Sequence, residues 1–437
     1  MRTKPLNTAQ PGLGRLVLAG LLLAGGAAFS VASADGTERA PDLDTIPDNL
    51  TLEETLDLVR DHSPRLAAER AAVDRAVAEQ IQAGRLPNPE LEIEVERPSW
   101  GDTRRDREEY EVLVEQPLLL RGQRGARVDL AEMNADAARS EFRAAAAGLL
   151  TETRQTFVEL LAHQERLAAF EALRQDLRRI QDNVSGRVEA GDTSPYDLTR
   201  VRIEISTIES EIIAARDARD EAAARLAALF GARGDDFRVD GDLDPSLMEA
   251  NYRSLWPEAE ENLPELISAR QRNRTSNQAV DVARRERPPV PSVGLGAVQD
   301  REDRGGAVLL SFSMDIPVFD DRRGTVAEAQ ADSLGTRLEL DATRRGAQAE
   351  LQRAVREFEN RRVALERYER EVVGELPELR EQAEDAYTLG QLGIIELLDA
   401  FESVVDAQVN YIDLLELLAL AEISVLAASG RIDQHVD

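Results

Sequence analysis

Residues 90–96 run Glu90-Leu91-Glu92-Ile93-Glu94-Val95-Glu96, an unbroken alternation of acidic and apolar side chains. Successive side chains of a β-strand point to opposite faces, so this period of two predicts a strand with one polar and one apolar face. The alternation resumes at Tyr110, Val112 and Val114, after a charged segment rich in turn residues. The two stretches predict an antiparallel β-hairpin at 89–117.

A second alternating pair of stretches lies about 200 residues later and predicts a hairpin at 291–318. Four strands of this length and pattern are typical of transmembrane β-strands, but they also suit two soluble hairpins packed on helices. The strands alone do not choose between these alternatives. In a membrane, the side chains expected to face lipid are Leu91, Ile93, Val95, Val112, Val308, Leu310 and Phe312.

Other marks recur at the same spacing. Gln116-Pro117-Leu118 returns as Ile316-Pro317-Val318, and Arg124-Gly125-Ala126 returns as Arg323-Gly324-Thr325. A period this long exceeds that of solenoid repeats, so it indicates one large unit used twice. We assign the units to 49–230 and 263–430, with 231–262 as an acidic linker on the outside.

Each hairpin is followed by a very long helix. The segment 126–190 contains no Pro, and its apolar residues recur at spacings of three, four and seven. About 65 residues at 1.5 Å each make a helix of roughly 95 Å, which is typical of a coiled coil. The equivalent helix at 326–389 carries Pro377 near Gly374, where we expect a kink.

Each long helix is predicted to turn back at a glycine. Gly191 opens a first tip turn at 191–196, and Gly390 opens a second at 390–394, which also contains Gly393. Ser194 and Pro195 suit the cap and first position of the next helix. The returning helices are expected at 196–230 and 395–430.

The start of the first unit predicts a further helix. Thr51 and Glu54 suit a capping box, and helical spacing of apolar residues continues from there as a single helix that stops before Pro87.

The N-terminal sequence and the composition of the chain indicate export. Basic residues, an apolar run at 16–29 and Ala32-Ser33-Ala34 predict a signal peptide at 1–34, followed by an N-terminal segment at 35–48. The formal net charge of -30 argues against nucleic acid as a partner, and the absence of Cys excludes disulfides. The last residues, 431–437, form a tail.

Nothing in the sequence predicts catalysis. The three histidines, His62, His163 and His435, are too scattered to form a local metal site. We therefore expect no enzyme activity, no cofactor and no resident metal.

The strands require several copies if they enter a membrane. Four strands cannot close a barrel, and an open sheet edge in hydrocarbon would leave amide and carbonyl groups without partners. Three chains would supply about twelve strands, within the range of outer-membrane barrels. The predicted fold is mostly α with a small β part. If the strands enter a membrane, the long α-helical coiled-coil hairpins would form an α-barrel, and four transmembrane strands per chain would complete a 12-stranded β-barrel in a homotrimer.

The order helix, hairpin, long helix, tip turn and returning helix, used twice, resembles the TolC family of outer-membrane efflux proteins. Val114-Glu115-Gln116-Pro117-Leu118 followed by Arg121-Gly122-Gln123-Arg124 is similar to the heavy-metal cation efflux branch, the cobalt-zinc-cadmium type. Arg121 stands where that branch commonly has Gly.

The resemblance implies a function. The protein would be a passive outer-membrane duct that extends into the periplasm of a Gram-negative cell and docks to a periplasmic adaptor and an inner-membrane pump. A multidrug efflux or type I secretion duct is the alternative within this class. A soluble periplasmic coiled-coil adaptor or scaffold is the alternative from another class.

The resemblance also implies a gate at the tip turns. Glu396 and Asp399 stand where the family has pore-facing acids, although both also suit the first turns of a helix, whose dipole favours acids. Tyr387 and Asp197 stand where the family has a closing contact, although Asp197 could instead complete a capping box with Ser194. Leu392 replaces a basic residue of the family pattern, so the gate must differ in part.

Overall fold

A computed structural model describes residues 46–96, 109–234, 236–243, 250–300 and 306–432. The predicted signal peptide at 1–34 lies outside these ranges, as do most of the segment 35–48 and the tail after 432.

The first unit contains seven elements. They are strand β1 (Asn49–Leu50), helices α1 (Leu52–His62) and α2 (Pro64–Ala83), strands β2 (Glu90–Glu96) and β3 (Glu109–Pro117), and helices α3 (Gln123–Ala190) and α4 (Pro195–Leu229).

The second unit and the segment before it repeat this order. They contain strand β4 (Arg238–Val239), helices α5 (Tyr252–Asn262) and α6 (Pro264–Glu286), strands β5 (Pro291–Asp300) and β6 (Gly306–Met314), helix α7 (Arg323–Glu371), a 3₁₀ turn (Val373–Glu375), and helices α8 (Leu376–Thr388) and α9 (Ile394–Ser429).

The predicted capping box is present, but the helix that it starts is shorter than expected. The Thr51 backbone N–H donates to Glu54 Oε2 at 2.9 Å, and the Glu54 N–H donates to Thr51 Oγ1 at 3.3 Å. The single helix expected up to Pro87 is wrong, because α1 and α2 meet at Ser63. Ser63 is extended (φ -61°, ψ 122°), since the ring of the following Pro64 disfavours helical backbone. Leu263 before Pro264 breaks the second unit in the same way.

The long helix of the second unit is interrupted as expected near Pro377. Val372 leaves the helical region (φ -127°, ψ -57°), a 3₁₀ turn follows, and Pro377 lies in the first turn of α8. A Pro there loses no hydrogen bond, since the first turn has no intrahelical acceptors for its N–H groups. The element predicted at 326–389 is therefore two helices, whereas α3 is continuous over 68 residues.

The segment 231–262 is more than an outer linker. Its side chains Phe237, Val239 and Leu243 are buried. β4 pairs in parallel with β1. Gln164 of α3 both donates to the Val239 carbonyl (2.8 Å) and accepts from the Val239 N–H (2.9 Å). The acidic composition suggested exposure, but its few apolar residues anchor it to α3.

The helices pack in open rows. Near the sheet α2 packs on α3, α3 on α6 and α6 on α7. Toward the tips α4 packs on α3, α3 on α9, and α9 on α7 and α8, with α4 also approaching α9. First-unit helices therefore lie at one end of each row and second-unit helices lie at the other.

The two largest apolar clusters among the described residues hold the long helices together. The larger one joins both units around the middle of α3, and includes Phe157, Leu160, Leu226, Leu351, Phe358 and Leu418. The other lies toward the tips, and includes Leu177, Val184, Val201, Ile205, Leu397 and Phe401. Burial of these stripes supplies the main stabilisation that a long helix lacks alone.

One antiparallel sheet contains both hairpins in the order β2-β3-β5-β6. Its register places Ile93 opposite Val112, Val112 opposite Ala297, and Ala297 opposite Val308. Apolar side chains thus share one face across all four strands. The other face carries the glutamates of β2 with Glu111 and Glu115 of β3.

Two glycines in β5 make room for a bulky side chain on the acidic face. A Cβ on Gly296 would lie 2.5 Å from the Val112 carbonyl oxygen, and one on Gly294 would lie 3.0 Å from Leu113 Cδ1. Leu113 is buried there. Small residues in β5 therefore allow β3 to approach closely.

Candidate functional site

The two tip turns begin with the same backbone conformation. Gly191 (φ 80°) and Gly390 (φ 71°) are left-handed, a conformation that costs Gly nothing and ends helices. The Asp192 N–H donates to the Arg187 carbonyl and the Gln391 N–H donates to the Ala386 carbonyl, both at 2.8 Å. These bonds satisfy carbonyls that the helix ends leave free.

The turns differ at the next helix start. Ser194 Oγ accepts from the Tyr196 N–H at 3.2 Å, and Pro195 is the first residue of α4. Gly393 caps α9 with extended backbone and has no side chain to accept a bond.

Glu396 and Asp399 are both exposed and lie about one turn apart on α9. Glu396 bends back toward its own cap, so a Cβ on Gly393 would lie 2.6 Å from Glu396 Oε2. The positive end of the helix dipole favours a carboxylate there. The helix start therefore accounts for Glu396, whereas Asp399 lies beyond the first turn of α9.

Asp399 belongs to a group of carboxylates that the sequence pattern does not predict. Burial raises the pKa of Glu204 on α4, and the negative charges of Glu402 and Asp399 raise it further. The positive charge of Arg200 opposes this rise. Glu204 of α4 therefore lies close enough to the carboxylates of α9 for their charges to interact. The i, i+3 spacing of Asp399 and Glu402 predicts from the sequence that they share one helix face. The position of Glu204 beside them cannot be predicted in this way, because it depends on how α4 packs against α9.

Tyr387 and Asp197 come close but form no direct bond. Asp197 Oδ2 accepts from Thr193 Oγ1 at 2.5 Å, and Tyr387 Oη is buried without a hydrogen-bond partner in the described part of the chain. Burial raises the pKa of Tyr387, Arg187 opposes this, and Asp197 reinforces it. The Arg187 guanidinium carbon lies 5.3 Å from the Tyr387 ring centroid, a cation-π contact that was not predicted.

A second unpredicted contact holds α8 after the helix break. Asp176 of α3, which is nearly buried, pairs with both Arg179 and Arg380. The Arg380 guanidinium carbon also lies 5.3 Å from the Phe401 ring centroid on α9. Arg380 thus joins three helices near the tips.

The residues predicted to face lipid all lie on the apolar face of the sheet, and all are exposed in the single chain. Leu310 is 80% exposed and Ile93 is 64% exposed. The other five are Leu91, Val95, Val112, Val308 and Phe312.

Two further observations concern the residues that the structure describes. No helix among them is both long and apolar enough to cross a bilayer. They also contain no cluster of three His, Asp or Glu side chains placed to hold a metal ion.

Comparison with known proteins gives concordant matches over most of the chain. The family model described as "Outer membrane efflux protein" matches residues 55–232 and 255–431, so each match falls largely on one of the two units. The cobalt-zinc-cadmium resistance protein CzcC of Cupriavidus metallidurans is 26% identical over 409 residues, covering 92% of this chain and 96% of CzcC.

Solved structures share the fold. The CmeC outer membrane channel of Campylobacter jejuni gives a TM-score of 0.73 at 14% identity, covering 87% of this chain and 85% of CmeC. CusC gives a TM-score of 0.68 at 16% identity, covering 87% of this chain and 92% of CusC. The predicted combination of coiled-coil helices with a small β part is thereby confirmed.

Proposed function

The chain belongs to the outer membrane efflux protein family, and we propose that it is the exit duct of a tripartite efflux system for heavy-metal cations. The similarity to a cobalt-zinc-cadmium resistance protein along 92% of the chain supports this substrate class over organic compounds or secreted proteins. In the proposed system a periplasmic adaptor connects the duct to an inner-membrane pump.

The sheet is the observation that carries the proposal. One face is apolar and exposed on all four strands, and the other face carries glutamates from two strands. Burying the apolar face in lipid and leaving the acidic face in water satisfies both. A soluble scaffold would have to cover the apolar face, and in the described residues nothing does so.

Several copies are needed to complete this arrangement. β2 and β6 lie at the two edges of the sheet, and within the described ranges neither has a strand on its outer side. Unpaired backbone groups are costly in hydrocarbon, so neighbouring chains must supply the missing strands. We propose a homotrimer with about twelve strands.

Transport through such a duct needs no chemistry of its own. Members of this family are channels rather than enzymes. In the proposed system the pump supplies the energy, and the duct supplies a water-filled path whose tip carries the carboxylates of Asp399, Glu402 and Glu204. The Glu396 and Asp399 positions would then add negative charge where cations enter.

Purification in detergent tests the duct itself. We expect a trimer by mass determination, and single-channel conductance after reconstitution in planar bilayers. A monomer that stays soluble without detergent would contradict both the duct and the assembly.

Deletion of the gene tests the substrate class. We expect more intracellular cobalt, zinc or cadmium in the deletion strain, with recovery on re-expression. Unchanged metal content together with raised sensitivity to organic toxicants would favour multidrug efflux instead.

A further inference from the structure

The chain continues the apolar alternation past the end of β6. Ile316 and Val318 extend the pattern of the strand and are 76% and 71% exposed. The Val318 N–H donates to the Ile316 carbonyl across Pro317 at 2.8 Å, the local three-residue bond of a γ-turn, which is common at strand ends.

The equivalent residue of the first unit has a neighbouring strand. Leu118 follows Pro117 as Val318 follows Pro317, and its N–H donates to the Pro291 carbonyl of β5 at 2.8 Å. The two sites differ because β3 has a strand on each side, whereas β6 lies at the edge of the sheet.

The two hairpins correspond through one constant shift. Ile93 faces Val112 in the first hairpin, and Val293 faces Phe312 in the second. Adding 200 to both numbers of the first pair yields the second pair. The hairpins therefore share one pairing register.

The junction between the hairpins can then serve as a template for a junction between copies. Within the chain, Gln116 faces Val293 where β3 meets β5. Adding 200 to the β3 residue gives Ile316, which follows β6, and subtracting 200 from the β5 residue gives Ile93 of β2. The template therefore places Ile316 opposite Ile93. The same shift converts the Leu118 to Pro291 bond into a bond from Val318 to Leu91.

The helix rows support the same direction of assembly. β2, α2 and α4 lie at one edge of their layers and belong to the first unit, while β6, α7 and α8 lie at the other edge and belong to the second. Joining the second-unit edge of one copy to the first-unit edge of the next is a head-to-tail contact. Such contacts close into rings when the rotation permits.

We propose that residues 314–318 extend β6 and pair antiparallel with β2 of a second copy in one register, with Ile316 opposite Ile93 and Val318 opposite Leu91. This pairing rests on the assembly in the proposed function and specifies its register. It places apolar side chains against apolar ones, and the Val318 N–H exchanges its local acceptor for the Leu91 carbonyl.

Matching apolar side chains with apolar side chains excludes only half of the other registers in which β6 could pair with β2 of the next copy. A slip of one residue would place the glutamates of β2 on the apolar face. A slip of two would keep the faces matched, because Leu91, Ile93 and Val95 lie on one face and glutamates alternate between them. The equivalence of the two hairpins selects one register from these.

Disulfide cross-linking of the full chain tests the register, since the chain contains no Cys. Facing residues in a hydrogen-bonded antiparallel pair have Cα atoms about 5.5 Å apart, within disulfide range. The test pair is Ile93→Cys with Ile316→Cys, in detergent with a mild oxidant. The matched pairs Leu91→Cys with Ile316→Cys and Val95→Cys with Ile316→Cys shift the register by two in either direction.

We expect the Ile93/Ile316 pair to form covalent dimers and trimers many-fold faster than either shifted pair, with single variants remaining monomeric on non-reducing gels. Faster linking of a shifted pair would overturn the register. Covalent dimers from Ile316→Cys alone would overturn the head-to-tail direction. Trimers that conduct ions without the expected cross-links would reject this inference alone, while loss of trimers in the unmodified chain would reject the proposed function.

Discussion

Asp399 and Glu396 have the same charge but different surroundings at the second tip. Glu396 folds over Gly393 at the start of α9, where the helix itself accounts for an acid. Asp399 lies near Glu204 and Glu402, so its charge adds to that of a group. Asp399 is therefore the stronger candidate for a carboxylate that acts on passing cations.

We predict that Asp399→Asn weakens block of single-channel conductance by a trivalent cation about fivefold, which corresponds to about 1 kcal/mol of lost attraction. Glu396→Gln should weaken block less. Asp192→Asn, in the first tip turn, removes one charge from the other tip and is the matched control. Unchanged block in Asp399→Asn, or a larger loss in Glu396→Gln, would contradict this assignment.

Sequence patterns located the tip residues but not their contacts. The glycines and Ser194 follow from local backbone rules, and the structure has them where the pattern predicts. Arg187, Glu204 and Arg380 could not be predicted in the same way, because each acts on a residue of another helix. Their roles depend on how α3, α4, α8 and α9 rotate against each other, which an alternating pattern does not specify.

The helix breaks show that sequence patterns also predict the ends of whole elements only in part. Pro377 was recognised as a break because it lies inside a long apolar pattern. Pro64 was not, because the spacing of apolar residues continues across it, although the residue before a Pro is biased away from helix. The buried contacts of 231–262 were missed because three apolar residues are too few to outweigh an acidic average.

The Asp176 pairs connect α8 to α3 just after the helix break, which leads to a prediction for this helix. Asp176→Asn leaves Arg179 and Arg380 without their nearly buried carboxylate. We expect it to lower the free energy of unfolding by about 1.5–3 kcal/mol, the usual range for a hydrogen bond to a charged group. Amide hydrogen exchange across 376–388 should also become faster, because α8 loses its tie to α3.

Arg367→Ala is the control for this prediction. Arg367 pairs with Glu371 four residues on, and both side chains are more than half exposed (73% and 55%). Exposed pairs of this kind contribute about 0–1 kcal/mol. Equal destabilisation by the two variants, or exchange across 376–388 that Asp176→Asn leaves unchanged, would show that the pairs do not hold α8.

The molecule as a whole is a duplicated unit with two unequal edges. The repeat was visible in the sequence, because Pro and Gly marks recur at a constant spacing. The order of elements in each row was not, because it depends on contacts between units. That order gives every layer a first-unit edge and a second-unit edge, so in the proposed barrel each copy would obtain its outer strand partners from neighbouring copies.

Membrane insertion of the whole molecule depends on which face of the sheet meets lipid, and two neighbouring leucines test this. Leu310 lies on the apolar face and is 80% exposed, whereas Leu309 faces Gly296 on the acidic side. Leu310→Arg should reduce the fraction of protein recovered in the outer membrane, since an arginine facing lipid costs about 2–4 kcal/mol at mid-depth. Leu309→Arg should be tolerated, because its guanidinium would meet carboxylates and water. A soluble protein would tolerate the Leu310→Arg substitution without loss, so equal recovery of both variants would argue that the apolar face never enters a membrane.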